Sequence, residues 1–149
     1  MKTIILILSL FLSLGCNNSD PQTSFQSTEI TPILISKGEL FNGNYNPIRH
    51  IEKFDNSTSW NTFVADVWSI ATAPDEAIVN FDEHIVIAAF DVTQPTGGHS
   101  IDIVSITENA ENIVVVIDKL NNGDLTQIVT RPYHFVKIPK TTKEIVTEQ

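Results

Sequence analysis

One stretch limits the fold more than any other. His84-Ile85-Val86-Ile87-Ala88-Ala89-Phe90-Asp91 is apolar at every position between its polar ends. A strand with one face in water alternates apolar and polar residues, whereas an unbroken apolar run is typical of a strand buried on both faces. Shorter segments of strand character surround it: Ile33-Leu34-Ile35 running into Lys37-Gly38, then residues 48–54, 100–107, 113–118, 125–129 and 133–138. Between them lie turn signals at Asn42-Gly43-Asn44, Gln94-Pro95-Thr96-Gly97-Gly98, Glu108 to Asn112 and Asn121-Asn122-Gly123-Asp124. One segment has helical spacing instead. Trp60, Phe63, Val64, Val67, Trp68 and Ala71 fall on a single stripe, with capping side chains at Asn56 to Ser59 and a stop at Ala73-Pro74. The fold expected is mainly β with one helix: an antiparallel β-sandwich, or a strongly bent sheet, packed on one amphipathic helix at about residues 57–71.

The N-terminus points to a compartment. Met1-Lys2 is a short positive region, and Thr3 to Leu14 is almost wholly apolar. That run is shorter than the roughly 20 residues a membrane span needs and has the length of a secretory signal. It ends in Ser13-Leu14-Gly15-Cys16, which resembles a bacterial lipobox, although Leu12 rather than residue 13 supplies the usual leucine. Cys16 is the single cysteine, so no internal disulfide can form, and lipidation is its natural use. The expected organisation is a signal peptide at 1–15, a flexible polar tether at 16–28, one β-rich domain at 29–140 and a disordered tail at 141–149. The expected location is the bacterial cell envelope, exported and lipid-anchored to a membrane, the outer one foremost.

Charge narrows the partners. Nine Lys and Arg face 18 Asp and Glu, a net charge of −9, and removal of Lys2 with the signal makes the remainder more acidic. Such a surface repels nucleic acid and anionic headgroups, so no nucleic-acid partner is expected. Catalytic patterns are missing. There is no Gly-x-Ser-x-Gly elbow. Asp82, Glu83 and His84 are adjacent and would point to opposite faces of a strand. His50, His99 and His134 have no ligand spacing. Neither a metal, a cofactor nor an enzymatic activity is expected.

Two turns could do more than connect strands. Pro95-Thr96-Gly97-Gly98-His99 follows the longest apolar run, and paired glycines permit positive φ and a close backbone approach. Gly97 is expected to hold positive φ, so that Gly97→Val would destabilise the domain. The second is Thr130-Arg131-Pro132-Tyr133, where proline interrupts a ladder. Arg131 and Tyr133 could anchor a partner. Equally, Tyr133 could cap the core while Arg131 pairs with a carboxylate.

Val86 to Phe90, then Pro95-Thr96-Gly97-Gly98-His99-Ser100-Ile101, a Val-rich strand, and Arg131-Pro132-Tyr133-His134-Phe135-Val136-Lys137-Ile138-Pro139 together resemble the C-terminal domain of the PrcB family of protease-complex subunits. Ser59 to Phe63 and Val79-Asn80-Phe81 look like that family's tryptophan helix and the short segment before its strand. The resemblance spans roughly Ile48 to Pro139. His99 departs from it, standing where the family has Tyr in a Thr-Gly-Gly-Tyr turn. It implies a non-catalytic lipoprotein that associates with, and supports, an exported protease. A partner, that protease or another envelope protein, is expected to meet the two turns at Pro95, Thr96, Gly97, Gly98, His99, Arg131, Pro132 and Tyr133. A second likeness is to chagasin-type cysteine-protease inhibitors, whose loops resemble residues 94–98 and 131–133, with the middle Gly-rich loop lacking. A third reading is an envelope small-ligand binder, which would show a deep pocket lined by His99, His134 or Asp91.

Overall fold

The structure, a computed structural model, describes residues 25–39, 48–69 and 71–149. The signal segment, Cys16, the tether up to residue 24 and the Asn42-Gly43-Asn44 turn lie outside these residues. In chain order the described elements are β1 (Thr28–Glu29), β2 (Ile33–Gly38), β3 (His50–Phe54), α1 (Ser57–Val67), a 3-10 turn at Asp75–Ala77, β4 (His84–Phe90), β5 (Asp102–Glu108), β6 (Asn112–Asp118), β7 (Tyr133–Pro139) and β8 (Glu144–Glu148). They form two four-stranded sheets, ordered β1-β5-β6-β8 and β2-β7-β4-β3. Neighbours run antiparallel except β6 and β8, which are parallel.

The apolar run becomes β4, between β3 and β7. Successive side chains on a strand point to opposite faces, and here both faces are dry. Ile85, Ile87 and Ala89 join Val136 and Ile138 of β7 against Ile103, Ile106, Ile113, Val115 and Ile117 of the other sheet. Val86, Ala88 and Phe90 face the other way, with Phe135, onto Trp60, Phe63 and Val67 of α1. The molecule is therefore a β-sandwich with a helix packed on the outside of one sheet. The helix stripe puts its largest rings inward, where Phe63 meets Phe54, Trp60, Phe90 and Phe135 at centroid distances of 4.8–6.0 Å. The Trp60 indole N–H is satisfied by the Ala77 carbonyl at 2.7 Å. Asn56 caps the helix, its side chain accepting the Ser59 N–H at 3.0 Å.

The structure corrects four expectations. The helix ends at Val67 rather than near residue 71; Trp68 caps it and lies edge-on to Phe135, while Ala71 is exposed and has no packing to gain. Residues 125–129 are not a strand: the Gly97 N–H bonds the Thr126 carbonyl, and the Ile128 N–H folds back to that same carbonyl, so no ladder can form. The last residues of the tether are ordered. Thr28 and Glu29 pair with Glu108 and Thr107, and Ser27 bonds Asn109.

The tail at 141–149 is not disordered either. Glu144–Glu148 adds a parallel strand to β6, and Ile145 packs against the inter-sheet core. Its short Glu-Ile-Val-Thr-Glu pattern gains structure only from a distant partner strand. Ile145 is half-buried, so Ile145→Ala should destabilise the domain by about 1–2 kcal/mol, the lower part of the range for core truncations. Urea unfolding checks this; a frayed tail would give no change.

Candidate functional site

The loops of one end of the sandwich meet in a polar assembly. The buried polar residues among those described are Asp91, Ser100, Asp102, Thr130 and Arg131, all at the end where β4 stops and β5 starts. Isolated buried charges are very unfavourable, so each must be paired. Asp91, fully buried, receives Arg49 Nε and Lys119 Nζ at 3.0 Å each and Gln94 Nε2 at 2.9 Å. Lys119 follows β6, so this ion pair crosses between the sheets. A second one crosses in the opposite sense, from Lys37 on β2 to Asp102 on β5. Asp102 also accepts from Ser100 Oγ and the Leu120 N–H. Burial works to raise the Asp102 carboxyl, but these partners outweigh it and hold its pKa below the usual 3.8.

Both candidate turns belong to this assembly. Gln94 and Thr130 form a two-bond antiparallel bridge, and Thr130 Oγ1 donates to the Thr96 carbonyl at 2.8 Å. The Gly98 N–H donates to Glu39 Oε2 at 2.7 Å, and the Arg131 N–H to the Glu39 carbonyl. Opposite the 95–99 turn, the Gly123 and Asp124 N–H groups donate to the Gly98 and Gly97 carbonyls.

The eight candidate residues are thus brought together, but not all reach the surface. Pro95 is exposed; Thr96, Gly98, His99 and Tyr133 are half-buried; Gly97, Arg131 and Pro132 are buried. Positive φ belongs to Gly98 (73°) and Gly123 (99°), not to Gly97. Gly97 is closely packed instead: a Cβ there would lie 3.3 Å from Ile128 and Thr126 side-chain atoms, which would have to give by a few tenths of an ångström. At Gly98 a Cβ would also strike Asp124 at 2.8 Å. His99 lies over Gly123, where a Cβ would come within 2.4 Å of its ring, and its Nε2 meets Thr96 Oγ1 at 2.9 Å. The His99 ring therefore makes contacts with Thr96 in its own turn and with Gly123 opposite. Arg131 is only 7% exposed; its Nε donates to the Asp91 carbonyl and its guanidinium sits 5.7 Å from the centre of the Phe90 ring. Of the two readings of Arg131, the structural one fits this burial, with the Asp91 carbonyl as one acceptor.

His134 is also set here. Its Nδ1 accepts the Ile103 N–H at 2.9 Å, joining the sheets beside the Lys37–Asp102 pair. Burial pushes its pKa down to about 4, with help from the Lys37 cation and against the pull of Asp102. An open groove of about 430 Å³ lies alongside, lined among the described residues by Gly38, Glu39, Ile128, Thr130 and Tyr133. It does not include His99, His134 or Asp91. Among the described residues no group of three His, Cys, Asp or Glu side chains could hold a metal ion.

Residues 85–139 match the family model described as PrcB C-terminal. Over that stretch the chain is similar to the PrcB C-terminal family. The match runs from β4 through β7 and contains both candidate turns; residues 48–84, with α1, precede it. No curated protein and no solved structure matches the chain.

Sequence reading missed Lys37, Glu39, Lys119 and Asp102, whose roles come only from residues distant in the chain. It also placed Leu125, Ile128 and Val129 in a strand, whereas they are exposed at this end.

Gly98→Ala should destabilise the domain by at least about 1–3 kcal/mol, because it combines an unfavourable backbone with a clash. Arg131→Ala should cost a similar amount, about 1–3 kcal/mol, by leaving buried partners unpaired. Melting curves check both; an unchanged midpoint for Arg131→Ala would show that its buried contacts contribute nothing.

The neutral His134 ring is the folded form. In the unfolded chain it titrates near 6.5, so as pH falls from 6.5 towards 4 the unfolded state takes up a proton that the folded state excludes, and stability falls. Allowing for partial exposure, the loss should be on the order of 1 kcal/mol. His134→Asn keeps an acceptor near the Nδ1 position and should flatten that window in urea titrations across pH; an unaltered slope would assign it to other groups.

Proposed function

We propose that this chain is a non-catalytic, membrane-anchored lipoprotein that binds and supports a partner protein, an exported protease. The observation that carries the reading is the PrcB C-terminal match over 85–139, which contains the two turns joined at one end of the sandwich. The lipid on Cys16 and export to the bacterial envelope, with the outer membrane as the site, are part of the proposal and rest on residues 1–16 of the sequence. Cleavage after residue 15 leaves a tether that ends where Ser27 and β1 join the fold, and a single domain beyond it.

Protease inhibition through the 94–98 and 131–133 loops is the second reading. The Gln94–Thr130 bridge favours it, since a blocking edge needs both loops side by side. The burial of Arg131 and Pro132 weighs against it and leaves Pro95 and Thr96 to make such contacts.

Isolation of the C-terminally tagged, lipidated chain from its own membranes in mild detergent should bring down an exported protease in near-stoichiometric amount, identified by mass spectrometry. A lone chain would contradict the subunit reading. Inhibition of a cysteine or serine protease by micromolar soluble domain would favour the second reading over the first.

A further inference from the structure

The loop from Lys119 to Pro132 carries an exposed apolar surface that the two turns do not account for. Leu120 is 63% exposed, Leu125 97%, Ile128 42% and Val129 66%. Scattered apolar side chains on a surface are ordinary, but a concentration in one loop marks an interaction site. This loop is also tied down. Gly97 N–H to Thr126 O, Asp124 N–H to Gly97 O, Gly123 N–H to Gly98 O and Ser100 N–H to Asn121 O hold its backbone at 2.8–3.1 Å. The apolar side chains are thus held outward on a fixed frame, which lowers the ordering entropy a partner would have to offset.

Charge separates this end from the rest. Of the charged residues in the loop, Lys119 is held on Asp91, Arg131 is buried, and Asp124 uses Oδ1 to accept the Thr126 N–H. The nearby Lys37 and Arg49 are likewise engaged by Asp102 and Asp91. A chain of net charge −9 therefore offers, on this loop, a surface of leucine, isoleucine, valine, asparagine and glutamine in which Asp124 is the one exposed charge. The chain enters the domain at the opposite end. Phe25 lies over Lys143, Ser27 bonds Asn109, and Thr28 pairs with Glu108, all at the far end of β5. Seven-residue strands separate the two ends by roughly 20 Å.

We propose that loop 119–132 is the docking surface for a folded protein partner offering an apolar, low-charge face, with Leu125 and Val129 as its contact residues and the 95–99 and 131–133 segments as the frame beneath. This rests on the partner-binding reading above and gives it an address. A lipid surface fits less well: the loop has no aromatic belt residue and no free cation to meet headgroups.

The test places a photo-crosslinking amino acid at Leu125 of the full chain in its own cells, with Ile78 as the control, since Ile78 is 81% exposed and lies outside this end. The expected result is one discrete protein adduct from position 125, absent from position 78, and reduced at least tenfold by Val129→Asp while the melting temperature holds. Lipid adducts alone, an adduct of twice the chain's mass, the same adduct from both positions, or no adduct would overturn the proposal. The two readings fail separately. A loop adduct to a protein that is not a protease would sink the protease assignment and leave the docking surface standing. A co-purifying protease with no adduct at the loop would do the reverse.

Discussion

Strand β4 has no face in water, and the architecture follows from that. One side of it needs a second sheet and the other needs a helix, because Ile85, Ile87 and Ala89 cannot share a layer with Val86, Ala88 and Phe90. Where β4 leaves this dry interior, the chain must return polar backbone and charge to its surroundings within a few residues. Asp91 does so while still buried, by taking Arg49, Lys119 and Gln94. Together with Lys37–Asp102, which crosses the sandwich in the other sense, it ties the two sheets at the end where the loops gather. Removing one partner of such a buried pair is far more damaging than replacing both, so these ions act as fixed joints of the scaffold.

That arrangement changes what the notable motifs mean. The Pro-Thr-Gly-Gly-His and Arg-Pro-Tyr segments read as contact motifs in isolation. In the fold most of their atoms face one another or the protein interior: Gly98 bonds Glu39, His99 lies on Gly123, Pro132 accepts the Asp91 N–H, and Arg131 reaches the Asp91 carbonyl. Within this domain these motifs specify a shape, and the shape displays a neighbouring loop.

Local pattern made some of this legible. The unbroken run at 85–90 announced a strand dry on both faces, and the stripe of Trp60, Phe63 and Val67 announced the helix that covers one of them. Both are signals carried by residues close in sequence. What stayed hidden depends on residues far apart. Gly97 and Gly98 look alike until Asp124 and Ile128 approach them, and only then is Gly98 the residue with positive φ and no room for a Cβ, and Gly97 the one in tight contact. Arg131 reads two ways in the sequence because the Asp91 carbonyl that it reaches lies 40 residues away. Ile145 looked like part of a tail because β6, its partner, is separated from it by two loops and β7. Leu125 to Val129 has strand-like composition, but its backbone is already engaged by the glycine turn.

The loops at this end form one rigid unit continuous with β4. Native-state amide hydrogen exchange tests it directly, because protection reports the free energy needed to open each bond. The amides of Gly97, Gly98, Gly123, Asp124 and Thr130 should exchange slowly, within about an order of magnitude of the β4 amides. Exchange of these five at the rate of free loops, with β4 still protected, would contradict it.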